Sequence, residues 1–141
     1  DTGNIHLSFI WIANSVENTV SRLDTQTGRE VGRYEVCANP SRTAVDLFGN
    51  MYVACRDENK VAKVIYDRNL CIDRNQDGAI ETSQDLNGDG RIDPGDPNEM
   101  PSKKGWQNDE CIAWAATVQE SGDPVLGLRG IAVTKDNYVW V

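Results

Sequence analysis

The feature that limits the fold most is an internal repeat. Trp11-Ile12-Ala13-Asn14 is matched 41 residues later by Tyr52-Val53-Ala54-Cys55. At the same spacing Asn18 meets Asn59, and Val20-Ser21-Arg22-Leu23 meets Val61-Ala62-Lys63-Val64, with no gap. A partial third copy aligns Arg42-Thr43-Ala44-Val45 through Tyr52-Val53 with Gly130-Ile131-Ala132-Val133 through Trp140-Val141, at a spacing of 88. Read as two periods of 41, that spacing leaves too little room for a long insertion, so the second unit is expected to be abridged elsewhere. A repeated unit that cannot bury its apolar face alone must stack on its neighbours.

Each unit reads as short strands separated by turn residues. Residues 9–14 are an apolar run, and residues 19–24 alternate through Val20 and Leu23. Thr25-Gln26-Thr27-Gly28 turns the chain, residues 30–37 alternate through Val31, Tyr34 and Val36, and Asn39-Pro40-Ser41 breaks it again. Strands follow over 42–47 and 51–56, joined by Phe48-Gly49-Asn50. A period near 40 with about four strands per unit is the pattern of β-propeller blades. The expected fold is all-β, a partial β-propeller of about two and a half blades of four-stranded antiparallel sheet. It spans residues 1–141 as one segment and carries an acidic insertion over 67–111.

The insertion holds two consecutive twelve-residue calcium-loop patterns. Such a loop places oxygens at positions 1, 3, 5, 7, 9 and 12, with Gly at 6 for the sharp turn. In the second loop Asp85, Asn87 and Asp89 fill 1, 3 and 5, Gly90 fills 6, and Arg91 offers its carbonyl at 7. Asp93 and Asp96 complete it at 9 and 12. The first loop supplies Asp73, Asn75, Asp77, Gly78, the Ala79 carbonyl and Glu81, but Gln84 at position 12. One or two calcium ions are expected, the second site being the tighter. Pro94, Gly95, Pro97 and Pro101 forbid the following helix of an EF-hand. The loops therefore resemble those of dockerins and thrombospondin type 3 repeats, which favours a structural ion over a signalling one.

Charge and cysteines agree with that reading. The net charge is −8, and residues 67–110 hold eleven acids against five bases. Acidity concentrated there reads as metal binding and argues against nucleic acid, which requires a basic face. No apolar run reaches membrane-spanning length. The four cysteines, Cys37, Cys55, Cys71 and Cys111, allow three pairings. Cys71–Cys111 is favoured because it brackets the insertion, which leaves Cys37–Cys55 to join neighbouring strands. Four buried thiols in a cytosolic protein are the competing reading. Zinc is disfavoured by the lack of a C-x-x-C pair.

Ile10-Trp11-Ile12-Ala13-Asn14-Ser15, Thr19-Val20-Ser21-Arg22-Leu23-Asp24-Thr25, Thr27-Gly28 and Pro40-Ser41-Arg42-Thr43-Ala44-Val45-Asp46 together carry a resemblance. So do Cys71 to Ile80, Trp106, Asp109-Glu110-Cys111, Trp114 and Leu128 to Val133. The chain resembles secreted bacterial β-propellers of the NHL and streptogramin-lyase-like type over nearly its whole length. That resemblance implies an extracellular or cell-surface location. Closed propellers have four to eight blades. The expected partners are therefore other copies of the chain, in a ring or filament paired through open blade edges, or the remainder of a longer propeller chain.

Propellers host many activities, so the fold alone names none. The lyases of this type use a histidine base and a metal ion near the propeller centre. Here the single histidine, His6, stands between Ile5 and Leu7 with no acidic partner in any motif. No G-x-S-x-G, H-E-x-x-H or P-loop is present. Trp11, Trp106, Trp114 and Trp140 read first as blade packing, with a carbohydrate-binding surface as their lesser role. The expectation is a non-enzymatic, calcium-stabilised extracellular module. The alternative is a piece of a lyase-like enzyme whose catalytic residues lie elsewhere.

Overall fold

A computed structural model describes residues 8–118 and 127–141 of the chain. Among these residues the fold is all-β, with three antiparallel sheets and no α-helix. The first sheet runs β1 (Phe9–Asn14), β2 (Thr19–Asp24), β3 (Glu30–Glu35). The second runs β4 (Pro40–Val45), β5 (Met51–Cys55), β6 (Lys60–Val64), β7 (Ile112–Thr117). The third pairs β8 (Ala132–Val133) with β9 (Val139–Trp140). Among the described residues only the second sheet has the four strands expected of every unit.

The repeat is reproduced in the hydrogen bonds of its turns. Asn18 and Asn59, 41 residues apart, both adopt left-handed backbone, at φ 60° and 49°. Asn and Gly tolerate that region best, which explains their presence in these turns. The Asn18 Oδ1 accepts the Asn39 N–H at 2.9 Å, and the Asn59 Oδ1 accepts the Gly127 N–H at 3.3 Å. The β4–β5 turn closes with Asp46 N–H to Asn50 O and Gly49 N–H to Asp46 O. The β8–β9 turn, 88 residues on, closes with Thr134 N–H to Tyr138 O and Asn137 N–H to Thr134 O.

That match corrects the expectation of an abridged second unit. The spacing of 88 is a single repeat lengthened by the insertion, because β8–β9 is the counterpart of β4–β5. Residues 65–111 connect β6 to β7 where residues 25–29 connect β2 to β3. All four strands of the second unit are kept.

The core lies where the first two sheets meet. Trp11, Val20, Tyr34, Val36, Met51, Val53, Val64 and Ile112 form one buried cluster. β5 is buried along its whole length because β4 and β6 flank it and both faces are covered. Each fully buried residue such as Met51 or Val53 contributes on the order of 1.5–3 kcal/mol through burial alone. Gly32 is set by packing: a Cβ there would stand 2.8 Å from the Tyr34 hydroxyl. The disulfides join Cys37 to Cys55 and Cys71 to Cys111. Cys37 lies in the β3–β4 connection, so its bond ties the link between two sheets to β5 rather than joining neighbouring strands.

Two disulfides suit an oxidising, extracellular compartment. No helix among the described residues is long and apolar enough to cross a membrane.

Candidate metal centre

The insertion leaves and rejoins the second sheet through a narrow neck. Ile65 N–H donates to Cys111 O at 2.7 Å, Ile72 N–H donates to Glu110 O at 3.0 Å, and Cys71 and Cys111 have Cα atoms 4.6 Å apart. Closing a loop of 40 residues stabilises by about 4 kcal/mol in the chain-entropy treatment of disulfides.

From that neck the insertion folds back over the first unit. β3 is the edge strand of its sheet, and an unpaired edge exposes backbone donors. Three of them are bonded by the insertion. Glu30 N–H donates to Gly90 O at 2.9 Å, Arg33 N–H to Ser83 Oγ at 2.9 Å, and Glu35 N–H to Ser102 Oγ at 2.9 Å. In return the Glu30 carboxylate accepts Ile92 N–H at 2.9 Å, and Ile92 is buried. The insertion is thus a strap from one repeat across the open edge of the previous one. Sequence reasoning placed its ends but not its docking site, because nothing in Ser83 or Ser102 marks them as partners of β3.

Within the strap the two twelve-residue loops share one frame. In the first, Asp73 accepts Gln76 N–H at 2.6 Å and Gly78 N–H at 3.0 Å, Asn75 accepts Asp77 N–H at 3.0 Å, and Asp77 accepts Ala79 N–H at 2.8 Å. In the second, Asp85 accepts Gly88 N–H at 2.7 Å and Gly90 N–H at 2.8 Å, Asn87 accepts Asp89 N–H at 2.8 Å, and Asp89 accepts Arg91 N–H at 2.8 Å. Positions 4 and 6 are left-handed in both: Gln76 φ 61°, Gly78 φ 85°, Gly88 φ 78° and Gly90 φ 89°. The alternation of short acceptors with left-handed residues is what coils each loop so tightly.

Position 12 does not continue the frame. Gln84 accepts Arg68 Nη1 at 3.2 Å, and Asp96 caps the following turn by accepting Asn98 N–H at 2.8 Å and its side-chain amide at 2.9 Å. A buried glutamate from outside each window collars the loop instead. Glu110 accepts Arg74 N–H at 2.6 Å, Asn75 N–H at 3.4 Å and Glu81 N–H at 3.1 Å. Glu99 accepts Leu86 N–H at 3.2 Å, Asn87 N–H at 3.3 Å and Asp93 N–H at 2.9 Å. These are positions 2, 3 and 9 in both cases. The main-chain carbonyls match too: Glu110 O accepts Ile72 N–H, and Glu99 O accepts Gln84 N–H at 3.1 Å. Both glutamates are almost fully buried. Three N–H donors occupy most of a carboxylate's roughly four acceptor positions, so each glutamate is chiefly a brace. No twelve-residue pattern points to either, since they follow their loops at unequal distances.

Charge is arranged differently in the two loops. Burial pushes the Glu81 carboxyl up, and the neighbouring Asp77, Glu110 and Asp73 carboxylates push it further. Acids are crowded there, and the Arg74 guanidinium nearby turns to the carbonyls of Gln107, Asp109, Ile112 and Ala113. In the second loop burial raises Asp85, but the Gly90 N–H, the Arg29 guanidinium and the Gly88 N–H outweigh it and hold the group below its ordinary value. Arg29 reaches Asp85 at 3.0 Å and Gly88 O at 2.6 Å.

Among the described residues no three His, Cys, Asp or Glu side chains form a ready-made metal cluster. An ion in either loop would take Asp73, Asn75, Asp77, Glu81 and the Ala79 carbonyl, or Asp85, Asn87, Asp89, Asp93 and the Arg91 carbonyl. Hard oxygen donors of this kind suit calcium. Gln84 is bonded to Arg68, whereas Asp96 keeps Oδ2 free of hydrogen bonds among the described residues. Of the tryptophans, Trp11 is core, Trp114 meets Tyr52 edge-on at 6.1 Å, Trp106 lies 5.5 Å from the Arg74 guanidinium, and Trp140 is exposed. His6 falls outside the described residues. No protein-family model matches the chain, and no curated protein matches it in sequence.

Proposed function

We propose that the chain is a segment of an extracellular β-propeller in which bound calcium locks a strap between adjacent blades, giving a non-enzymatic structural or binding module. The observation that carries this reading is the docking of the twin-loop insertion along the β3 edge by the N–H groups of Glu30, Arg33 and Glu35. The matched hydrogen-bond frames of the two loops support calcium as the ligand. When bound, the ion supplies charge neutralisation: it lets the acids of each loop stay close without repulsion. Sheets of three, four and two strands that repeat at the same turns support blades of a propeller. β1 and β9 each have one hydrogen-bonded neighbour among the described residues. Their open sides take strands from the rest of a longer chain or from further copies, and native mass spectrometry of the intact protein distinguishes the two.

Position-12 rules favour the second loop as the tighter site. We propose the reverse order, because Arg29 already offsets charge in the second loop while the first concentrates it. The test is hydrogen exchange with and without chelator. Removing calcium lowers the melting temperature and speeds exchange at the Arg33 and Glu35 amides, which the strap alone covers. Unchanged melting and unchanged exchange in EDTA would sink the calcium-strap reading.

A further inference from the structure

Between the two loops and the turn that follows them lies a cavity of about 520 Å³. That volume falls within the usual range of small-molecule sites. Its wall is unusually rich in side-chain amides, among them Gln84, Asn98, Gln107 and Asn108. Three of these are held by one end only. Gln84 accepts from Arg68, and its NH2 has no acceptor among the described residues. Asn98 donates to Asp96, and Asn108 donates to Lys104 O at 3.0 Å and Gly105 O at 3.1 Å, so that both exposed Oδ1 atoms face solvent with no donor among the described residues. Gln107 makes no side-chain hydrogen bond among the described residues. Lys104, unlike Lys103 paired with Glu35 at 3.7 Å, has no salt bridge among them.

The wall therefore offers fixed acceptors at Asn98 and Asn108, a fixed donor at Gln84, and both kinds at Gln107. A hydroxyl both donates and accepts, so a ligand carrying several adjacent hydroxyls matches this alternation, whereas a single charged group does not. The two carboxylates that line the cavity, Glu81 and Glu110, are offset by the two cations, Arg74 and Lys104, so the wall as a whole favours a ligand without net charge. Pro97, Pro101 and the half-exposed Leu86 provide apolar surface for C–H faces. We infer that this cavity binds a neutral saccharide, one to two sugar units of a larger glycan, through the amides of Gln84, Asn98, Gln107 and Asn108. This goes beyond the calcium strap: the contacts proposed for the ligand are side-chain amides and not an ion.

The test uses maltose, cellobiose and N,N′-diacetylchitobiose as neutral probes and digalacturonate as the acidic one, each titrated in calcium and again in EDTA. The side-chain amide signals of the labelled protein report binding by NMR. At least one neutral disaccharide is expected to shift the signals of these four residues. Gln107→Ala, whose side chain holds nothing in the fold, should weaken that binding about tenfold. The inference is overturned if no neutral probe shifts these signals in either buffer. It is also overturned if Gln107→Ala binds as the native protein does, or if digalacturonate binds more tightly than every neutral probe. Loss of binding in EDTA alone supports a site that the ordered strap shapes. A melting temperature indifferent to EDTA would strike the calcium reading without touching this one.

Discussion

Replacing Glu99 with Gln separates a loop closed by its own twelfth residue from one braced by a distant glutamate. Glu99 is 2% exposed, and its carboxylate accepts three backbone N–H groups at 3.2, 3.3 and 2.9 Å. Gln keeps one acceptor oxygen and turns an NH2 toward a former donor. Hydrogen bonds to a charged acceptor contribute about 1.5–3 kcal/mol each, neutral ones about 1, and a stranded donor costs about 1–3. Leu86 and Asn87 are exposed, so solvent should recover part of this loss. The net cost is about 3 kcal/mol, a large fraction of the roughly 5–15 kcal/mol that holds a domain folded. For a chain of this size that lowers the melting midpoint by roughly 12 °C.

The assay is a thermal melt followed by circular dichroism at neutral pH in chelator, so that ion binding does not enter. Asp96→Asn is the comparison. Asp96 caps only the Asn98 turn, and its loss should cost under about 1 kcal/mol, as for a surface change. If Asp96→Asn lowers the midpoint more than Glu99→Gln, or if Glu99→Gln moves it by less than about 2 °C, the brace argument fails.

Arg29→Ala should raise calcium affinity at the second loop several-fold, read by titration calorimetry, since Asp85 then loses its competing cation; lower affinity would mean that Arg29 orders the loop instead. Burial pushes the Tyr34 hydroxyl above its ordinary value of 10.0. The folded state therefore resists ionising: its stability is complete below about pH 10 and is lost as pH rises from there toward the folded value. Tyr34→Phe should abolish that alkaline loss in denaturant titrations, and a native-like alkaline limb in the variant would refute the assignment. Replacing Cys71 and Cys111 together by Ser should cost about 4 kcal/mol, with exchange rising first at the strap amides; uniform exchange across both sheets would show that the staple does not act locally.

The strands were legible because their cause is local. Tyr34 and Val36 are buried and Glu35 between them is not, which is the alternation read over residues 30–37. Asn18 and Asn59 announce their turns by residue type, and both are left-handed. The loops were legible for the same reason: acids and glycines at fixed offsets coil the chain whatever surrounds it. The misread spacing of 88 has a physical origin too. Period arithmetic counts residues, whereas the sheet counts strands, and an insertion between β6 and β7 changes the first without changing the second.

What the sequence hid is what joins one unit to another. Glu99 and Glu110 make the same three bonds to their loops, yet one follows its loop closely and the other returns only at the neck beside Cys111. Their equivalence exists in space and in no linear pattern. Ser83 and Ser102 likewise acquire meaning only because the edge of β3 presents N–H groups that need acceptors. An uncovered edge invites a strand from another chain, so the strap occupies the donors of β3 while it fixes the acidic loops against a rigid sheet. Acidity and edge protection are then two aspects of one device: the loops need an ordered backbone to aim their oxygens, and the edge needs acceptors that do not detach. Shortening the strap between Ser83 and Ser102 should thus release both functions together, with calcium affinity falling and self-association at β3 rising in the same variant, as read by calorimetry and light scattering. Loss of calcium binding in a variant that stays unassociated would break that link.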